Sequence, residues 1–172
     1  MILYCRACGS PFREPLANPR ACACGVTDRD NPIARVAVLV PVENGVLVVR
    51  RGGAGGSGHL SLPGGFVETP QTWPEDAARG VCSETGLDLD PATLTLYDLV
   101  ARDWRPAHAV LVAKAPPLVE LPRFTPNEDI VERGIVYGSR ARSRLLLDVD
   151  LTGIGDYFDA RHLSGPSAFR PA

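Results

Sequence analysis

Four of the five cysteines in this 172-residue chain are spaced to hold a metal ion. Cys5 and Cys8 are followed by Gly9, and Cys22 and Cys24 by Gly25. Two thiolates close in sequence can grip one ion if the chain turns tightly around it. Glycine supplies that turn because it accepts positive φ at little cost. Two such knuckles facing each other give a tetrahedral zinc site with four thiolate ligands, an expectation for a small zinc ribbon over residues 1–30. A segment of about 30 residues buries too little core to fold alone, so the metal would supply much of its folding free energy. The second pair is Cys-x-Cys, one residue shorter than the common spacing. That leaves open a strained knuckle, a replaced ligand, or a metal-free arm with free thiols. A closed four-thiolate site has no position for substrate, so such a zinc would be structural. Cys82 lies in a helical stretch and reads as a small buried hydrophobe.

The second group of chemically interesting residues lies mid-chain. Gly65 is followed after five residues by Gln71 and after seven more by Arg79-Gly80-Val81-Cys82-Ser83-Glu84-Thr85-Gly86-Leu87. This spacing resembles the Nudix box, whose pattern is Gly, five residues, Glu, seven residues, Arg-Glu-apolar-x-Glu-Glu-x-Gly-apolar. The approach to it, Arg50-Arg51-Gly52 and then Leu60 to Glu68, is also similar to the family's. The resemblance covers Ile33 to Leu147. A four-cysteine ribbon ahead of such a domain further resembles the NADH pyrophosphatase-like branch. That branch's downstream Ser-Gln-Pro-Trp-Pro-Phe-Pro signature is missing here, so NADH specificity does not carry over.

The resemblance implies a loop-helix-loop that holds Mg²⁺ or Mn²⁺ against a diphosphate. A diphosphate repels anionic nucleophiles, and the metal neutralises it and activates water. Carboxylates three or four residues apart share a helix face and can meet one ion. The family's carboxylates are nevertheless depleted: Gln71, Gly80 and Ser83 stand where the pattern has Glu, and only Glu84 survives. In the family, the Glu at the position of Gly80 is a main metal ligand. A mid-helix glycine costs about 1 kcal/mol against alanine, and it implies either close backbone approach or relaxed selection. The metal candidates carried over are Glu84, Glu68 and the Gly65 carbonyl. The catalytic candidates are Glu84, Glu68, Arg79 and a distal base, Glu128 or Glu132. Gly64, Gly65, Arg50 and Arg51 are expected to bind substrate. Asp76 shares a helix face with Glu84 but lies about 12 Å away along the axis, and its plainer role is a negative charge in the first helical turn. His59 and His108 could act as an acid or base and Trp73 and Trp104 could stack on a base, but lone histidines more often serve as partly buried polar residues and tryptophans as core or rim packing.

These residues need elements to position them. Ile33 to Val42 is apolar enough for a buried strand, Asn44-Gly45 signals a hairpin turn, and Val46 to Arg50 returns as its partner. Leu60 to Leu62 is extended and Pro63-Gly64-Gly65 breaks it. Thr72-x-x-Glu75 is a capping box and Pro74 suits the first turn, so a helix is expected over Trp73 to Thr85, stopping at Gly86. Strands are expected over Thr93 to Arg102, Ala107 to Lys114 and, last, Ile130 to Tyr137. Short helices are expected over Ser139 to Leu147 and Asp156 to His162, with a loose tail from Ser164. The pattern gives an α/β or α+β sandwich. With the resemblance it becomes a Nudix-like α/β/α sandwich with a mixed sheet over residues 31–150, then a short helix and tail over 151–172.

Composition limits the partners. Apolar residues make up 45% of the chain, which predicts a globular fold. The net charge of -2 provides no general positive field for a nucleic-acid backbone. No apolar run reaches the roughly 18 residues of a membrane span. The first residues lack a secretory pattern, so a cytoplasmic, reducing compartment is expected. The function expected is that of a Nudix-type hydrolase acting on a nucleoside diphosphate-linked small molecule with a depleted metal-carboxylate set; the alternatives are regulatory binding of a nucleotide or ADP-ribose-like ligand without cleavage, or protein interaction through the ribbon. Members of the family often pair, so a homodimer is an expectation of the resemblance.

Overall fold

The computed structural model describes residues 3–52, 58–102, 107–138, 157–158 and 168–172. The chain divides into two compact units, Met1–Pro32 and Ile33–Ala172.

The first unit is almost all turn. Strands β1 (Arg20–Ala21) and β2 (Thr27–Asp28) pair antiparallel. Gly9 and Gly25 take φ of 71° and 88°, the left-handed turns expected after each cysteine pair. Gly9 N–H donates to Cys5 O at 2.9 Å and Gly25 N–H to Cys22 O at 3.0 Å, which closes both knuckles. The buried apolar residues among those described here are Cys5 and Phe12, with the Arg20 guanidinium over the Phe12 ring and ion-paired to Asp28 and Asp30. So small an apolar centre leaves the cysteines as the means of fixing the unit.

The second unit is a mixed α/β fold. Strand β3 (Ile33–Leu39) lies in a four-stranded sheet ordered β7-β3-β9-β8, with β7 at Gly64–Phe66, β8 at Thr95–Arg102 and β9 at His108–Lys114. β3 and β9 run parallel, which demands a long crossover; helix α1 (Trp73–Thr85) lies within it. The other sheet runs β11-β10-β5-β4, with β6 on β5; β4 is Pro41–Val42, β5 Gly45–Arg51, β6 Leu60–Ser61, β10 Ile130–Tyr137 and β11 Ala168–Pro171. Alternation along β3 sends its two faces into different cores. Val36 and Val38 pack with Ala77 and Val81 of α1, whereas Ala37 and Leu39 pack with Val112 and Phe158. Apolar side chains on both faces of one strand are what a sheet covered on both sides requires. Among the described residues no helix is long and apolar enough to cross a membrane.

Several expectations need correcting. The hairpin turn is Glu43-Asn44, not Asn44-Gly45, because Val42 pairs with Gly45 and Glu43 carries the positive φ of 54°. Gly45 serves close approach instead, since a Cβ there would collide with Ile135 and Val136 of β10. The extended stretch does break before Pro63, since β6 ends at Ser61, but Gly64 and Gly65 then open β7 in the other sheet, against Ala37 and Val36. The tail expected to be loose holds β11, antiparallel to β10, so β10 is not the last strand. Cys82 is exposed, because Ala77, Ala78 and Val81 occupy the inward face of α1. The helix expected over Ser139 to Leu147 and the side chain of Trp104 lie outside the described residues. Of Asp156 to His162 only Tyr157 and Phe158 are described, as buried helical residues.

Candidate functional site

Helix α1 and strand β7 build the site. The helix begins where the sequence signals it: Thr72 N–H and Oγ1 donate to Glu75 Oε2 at 2.7 and 2.8 Å. It ends at Gly86, with φ of 76° and its N–H on Cys82 O. Between these ends the helix backbone presses on β7. A Cβ added to Gly80 would sit 2.5 Å from Gly64 O and 2.6 Å from Gly64 C, inside van der Waals contact with backbone that cannot rotate away. Of the two readings of a mid-helix glycine, the structure shows close approach.

Beside that contact lies a cleft of about 310 Å³. Its floor is Gly65 and Gly80, and Phe66 and Ser83 form part of its wall. Glu68, Asp76 and Arg79 supply its charge. Asp76 is fully buried; its Oδ2 accepts the Glu68 N–H at 2.7 Å and its Oδ1 accepts from Arg79. Arg79 also reaches Glu68 Oε2 at 3.3 Å. Asp76 first, then Glu68, raises the Arg79 pKa above its ordinary value and keeps it cationic. Two carboxylates and one guanidinium leave the cleft with an excess of negative side-chain charge. Asp76 therefore does more than sit in the first helical turn, because it anchors both the chain after β7 and Arg79. The Phe66 ring lies under the Arg35 guanidinium at 5.1 Å.

The remaining candidates are held elsewhere. Glu84 is only 15% exposed and does not line the cleft; Oε1 accepts from Arg51 Nη1 at 2.6 Å and Oε2 from the Gly64 N–H at 3.0 Å. Arg51 also donates to Ser61 Oγ at 3.0 Å. Arg50 pairs with Glu132 at 2.6 Å, donates to Gly58 O at 2.7 Å and covers the Phe169 ring. Glu128 is exposed, on the turn that carries its carbonyl towards Gly52. His59 is exposed, His108 is half-buried on β9, and Trp73 packs against the core. Thus Gly65, Glu68 and Arg79 come together with Asp76, while Glu84, Arg50 and Arg51 form ion pairs beside them.

The residues present do not fit a resident magnesium site of the family's kind. Gly80 has no side chain, and the oxygens of Glu84 and Asp76 already accept from guanidinium and backbone donors. Among the described residues no group of three carboxylates or histidines gathers around one point in the cleft.

The cysteines are different. The Sγ atoms of Cys5, Cys8, Cys22 and Cys24 all lie within 4.8 Å of one another. Cys5 to Cys24 is 3.8 Å and Cys8 to Cys22 is 3.6 Å. Both are far beyond a disulfide bond of about 2.05 Å. Both match the edge, about 3.8 Å, of a tetrahedron whose Zn–S bonds are about 2.3 Å. Hydrogen bonds with Ser10 lower the Cys8 thiol to about 6, whereas the neighbouring thiols, Cys24 first, push Cys22 up to about 12, so the geometry and not the acidity of the cluster marks it as a metal site. The four residues fit a tetrahedral thiolate ion such as zinc, which would tie together the two knuckles.

One site escaped the sequence reading. Arg133 is buried on β10 and opens onto a cavity formed with the 119–126 segment and the end of β11. Its parts are distant in sequence, and no motif joins them.

The NUDIX domain family profile matches residues 31–132. Solved structures are similar across the fold. A NUDIX hydrolase from Nitrosomonas europaea is 22% identical, with a TM-score of 0.69 over 95% of this chain and 94% of its own. A MutT NUDIX hydrolase from Burkholderia pseudomallei is 19% identical, with a TM-score of 0.59 over 72% of this chain and 96% of its own. A bifunctional NMN adenylyltransferase/ADP ribose pyrophosphatase from Francisella tularensis is 21% identical, with a TM-score of 0.62 over 76% of this chain but only 41% of its own. At these identities the likeness is one of fold.

Proposed function

This chain belongs to the NUDIX domain family, and from that premise we propose that it binds a nucleoside diphosphate-linked small molecule without cleaving it at the rate a complete box would allow. The Gly80–Gly64 contact carries this reading. Backbone occupies the place from which the family's main metal-binding carboxylate would project, and the neighbouring Glu84 is neutralised by Arg51.

The cleft's charge says how the ligand arrives. A bare diphosphate would meet an excess of carboxylate. Magnesium is commonly held by one or two carboxylates together with the ligand's own phosphates. The ligand is therefore the magnesium complex of the diphosphate, with Glu68, 58% exposed, as the carboxylate that meets it and Arg79 as the cation facing the phosphates. Asp76 fixes Arg79 and the chain leading to Glu68, so that neither must be ordered on binding. The ribbon has a structural part, with zinc on its four thiolates.

The family's usual activity is the second reading, favoured by the hydrolase neighbours and by Glu68 standing exposed at the cleft. Hydrolysis of a nucleoside diphosphate-linked molecule would then use Glu68 in place of the lost box residues. Calorimetry with ADP-ribose and Mg²⁺, followed by product analysis of the same mixture, separates the two. Saturable binding with intact ligand supports the first, turnover lost in Glu68→Gln supports the second, and no binding contradicts both.

A further inference from the structure

The cavity around Arg133 has a volume of about 530 Å³, larger than the cleft beside α1. Its charge and its walls are unlike those of the cleft. Arg133 is 3% exposed, and its guanidinium donates to Thr85 O at 2.7 Å, Pro122 O at 2.6 Å and Ala172 O at 3.3 Å. Carbonyl oxygens take three of its five N–H groups and bring only partial charge. A buried charge without a full counter-charge is costly, and burial pulls the Arg133 pKa down.

Two more guanidinium groups border the same space. Arg170 is paired with Glu43 at 2.8 Å, whereas Arg123 has no side-chain hydrogen bond or ion pair among the described residues. Among the described residues three arginines thus face one side-chain carboxylate. The rest of the wall is apolar. Phe124 lies against the Arg133 guanidinium at 5.2 Å, and Val119 stands 90% exposed at the rim. A water-filled cavity would leave this apolar surface wet and the positive excess unmatched. An inorganic ion would answer the charge but not the apolar wall. Both needs are met by one molecule with an acidic group and an apolar body.

We propose that this cavity is a second ligand site, separate from the α1 cleft, for a small organic anion whose acidic group meets Arg123 and Arg133 and whose flat apolar body lies along Phe124 and Val119. The acidic group is a phosphate monoester or a carboxylate, since both accept paired hydrogen bonds from guanidinium.

Calorimetric titration of the full chain with phenyl phosphate, benzoate and the neutral analogue phenol tests it. At least one anion binds saturably at one per chain, more tightly than phenol, and the tighter of the two identifies the acid. Arg123→Ala, at an exposed position, weakens that binding by about tenfold or more. Val119→Asp weakens it too, by placing a carboxylate at the rim. Arg79→Ala, in the other cleft, leaves it unchanged. The proposal is overturned if neither anion binds, if phenol binds equally well, if Arg123→Ala has no effect, or if Arg79→Ala removes the binding.

Discussion

Gly80 rests directly on Gly64: a Cβ on the first would lie 2.5 Å from the carbonyl oxygen of the second. The contact joins α1 to β7 at the point where the box would otherwise present its main carboxylate. Restoring glutamate there forces helix and strand apart. Overpacking of this kind costs about 1–3 kcal/mol, against a helix-propensity gain of about 1 kcal/mol. Gly80→Glu should therefore lower stability in urea denaturation and bring no tight Mg²⁺ binding. A stable variant with a new high-affinity Mg²⁺ site would show that the glycine is incidental.

Glu84 and Arg51 form a partly buried pair that also orders the Gly64 N–H. A double-mutant cycle of Arg51→Ala and Glu84→Ala should give a coupling of about 1–3 kcal/mol, as expected for charge-assisted hydrogen bonds away from bulk water. Additive single effects would contradict the structural role assigned here to Glu84.

The thiolate cluster makes a stoichiometric prediction. Protein purified without chelator should carry about one zinc per chain, the number that four thiolates complete. Cys5→Ser or Cys24→Ser should reduce that content sharply, and Cys82→Ser, on the outer face of α1, should not. Equal loss in all three variants would argue against the cluster as the metal site.

The capping box gives a pH effect of known sign. Thr72, through its backbone N–H first and its hydroxyl second, lowers the Glu75 pKa below its ordinary 4.5. A depressed carboxylate stabilises the folded state above its unfolded pKa and ceases to do so as pH falls through the folded one. Acid unfolding of Glu75→Gln should lack that component, so its stability relative to the parent should be lower at neutral pH and the gap should close as pH falls below the unfolded carboxylate value and through the depressed folded one. A stability gap unchanged with pH would rule out the carboxylate as the source.

Local signals were legible in the sequence where local chemistry decides the structure. Thr72, Glu75, Pro74 and Gly86 fix the ends of α1 without help from distant residues, and Gly9 and Gly25 fix the knuckles. Tertiary contacts were not legible. Gly45 reads as a turn residue, yet β10 claims it for close approach and the positive φ moves to Glu43, whose carboxylate is held by Tyr137 and Arg170. β11 is too short to announce itself, and it forms because β10 offers an edge and Arg50 a cation for Phe169. In the site, the box spacing marked residues that line the cleft, and the Asp76–Arg79 pair, three residues apart on α1, was open to the same helical argument. Spacing could not show that Arg51 would claim Glu84, because that pair joins β5 to α1 and contacts across elements are not encoded along the chain.

Recognition without efficient cleavage at the α1 cleft is tested most directly by titrating the full chain with ADP-ribose in Mg²⁺ and assaying the recovered ligand for breakdown. The account predicts saturable, Mg²⁺-dependent binding that Arg79→Ala abolishes, with the ligand recovered whole. Rapid Mg²⁺-dependent breakdown, or binding indifferent to Arg79, would contradict it.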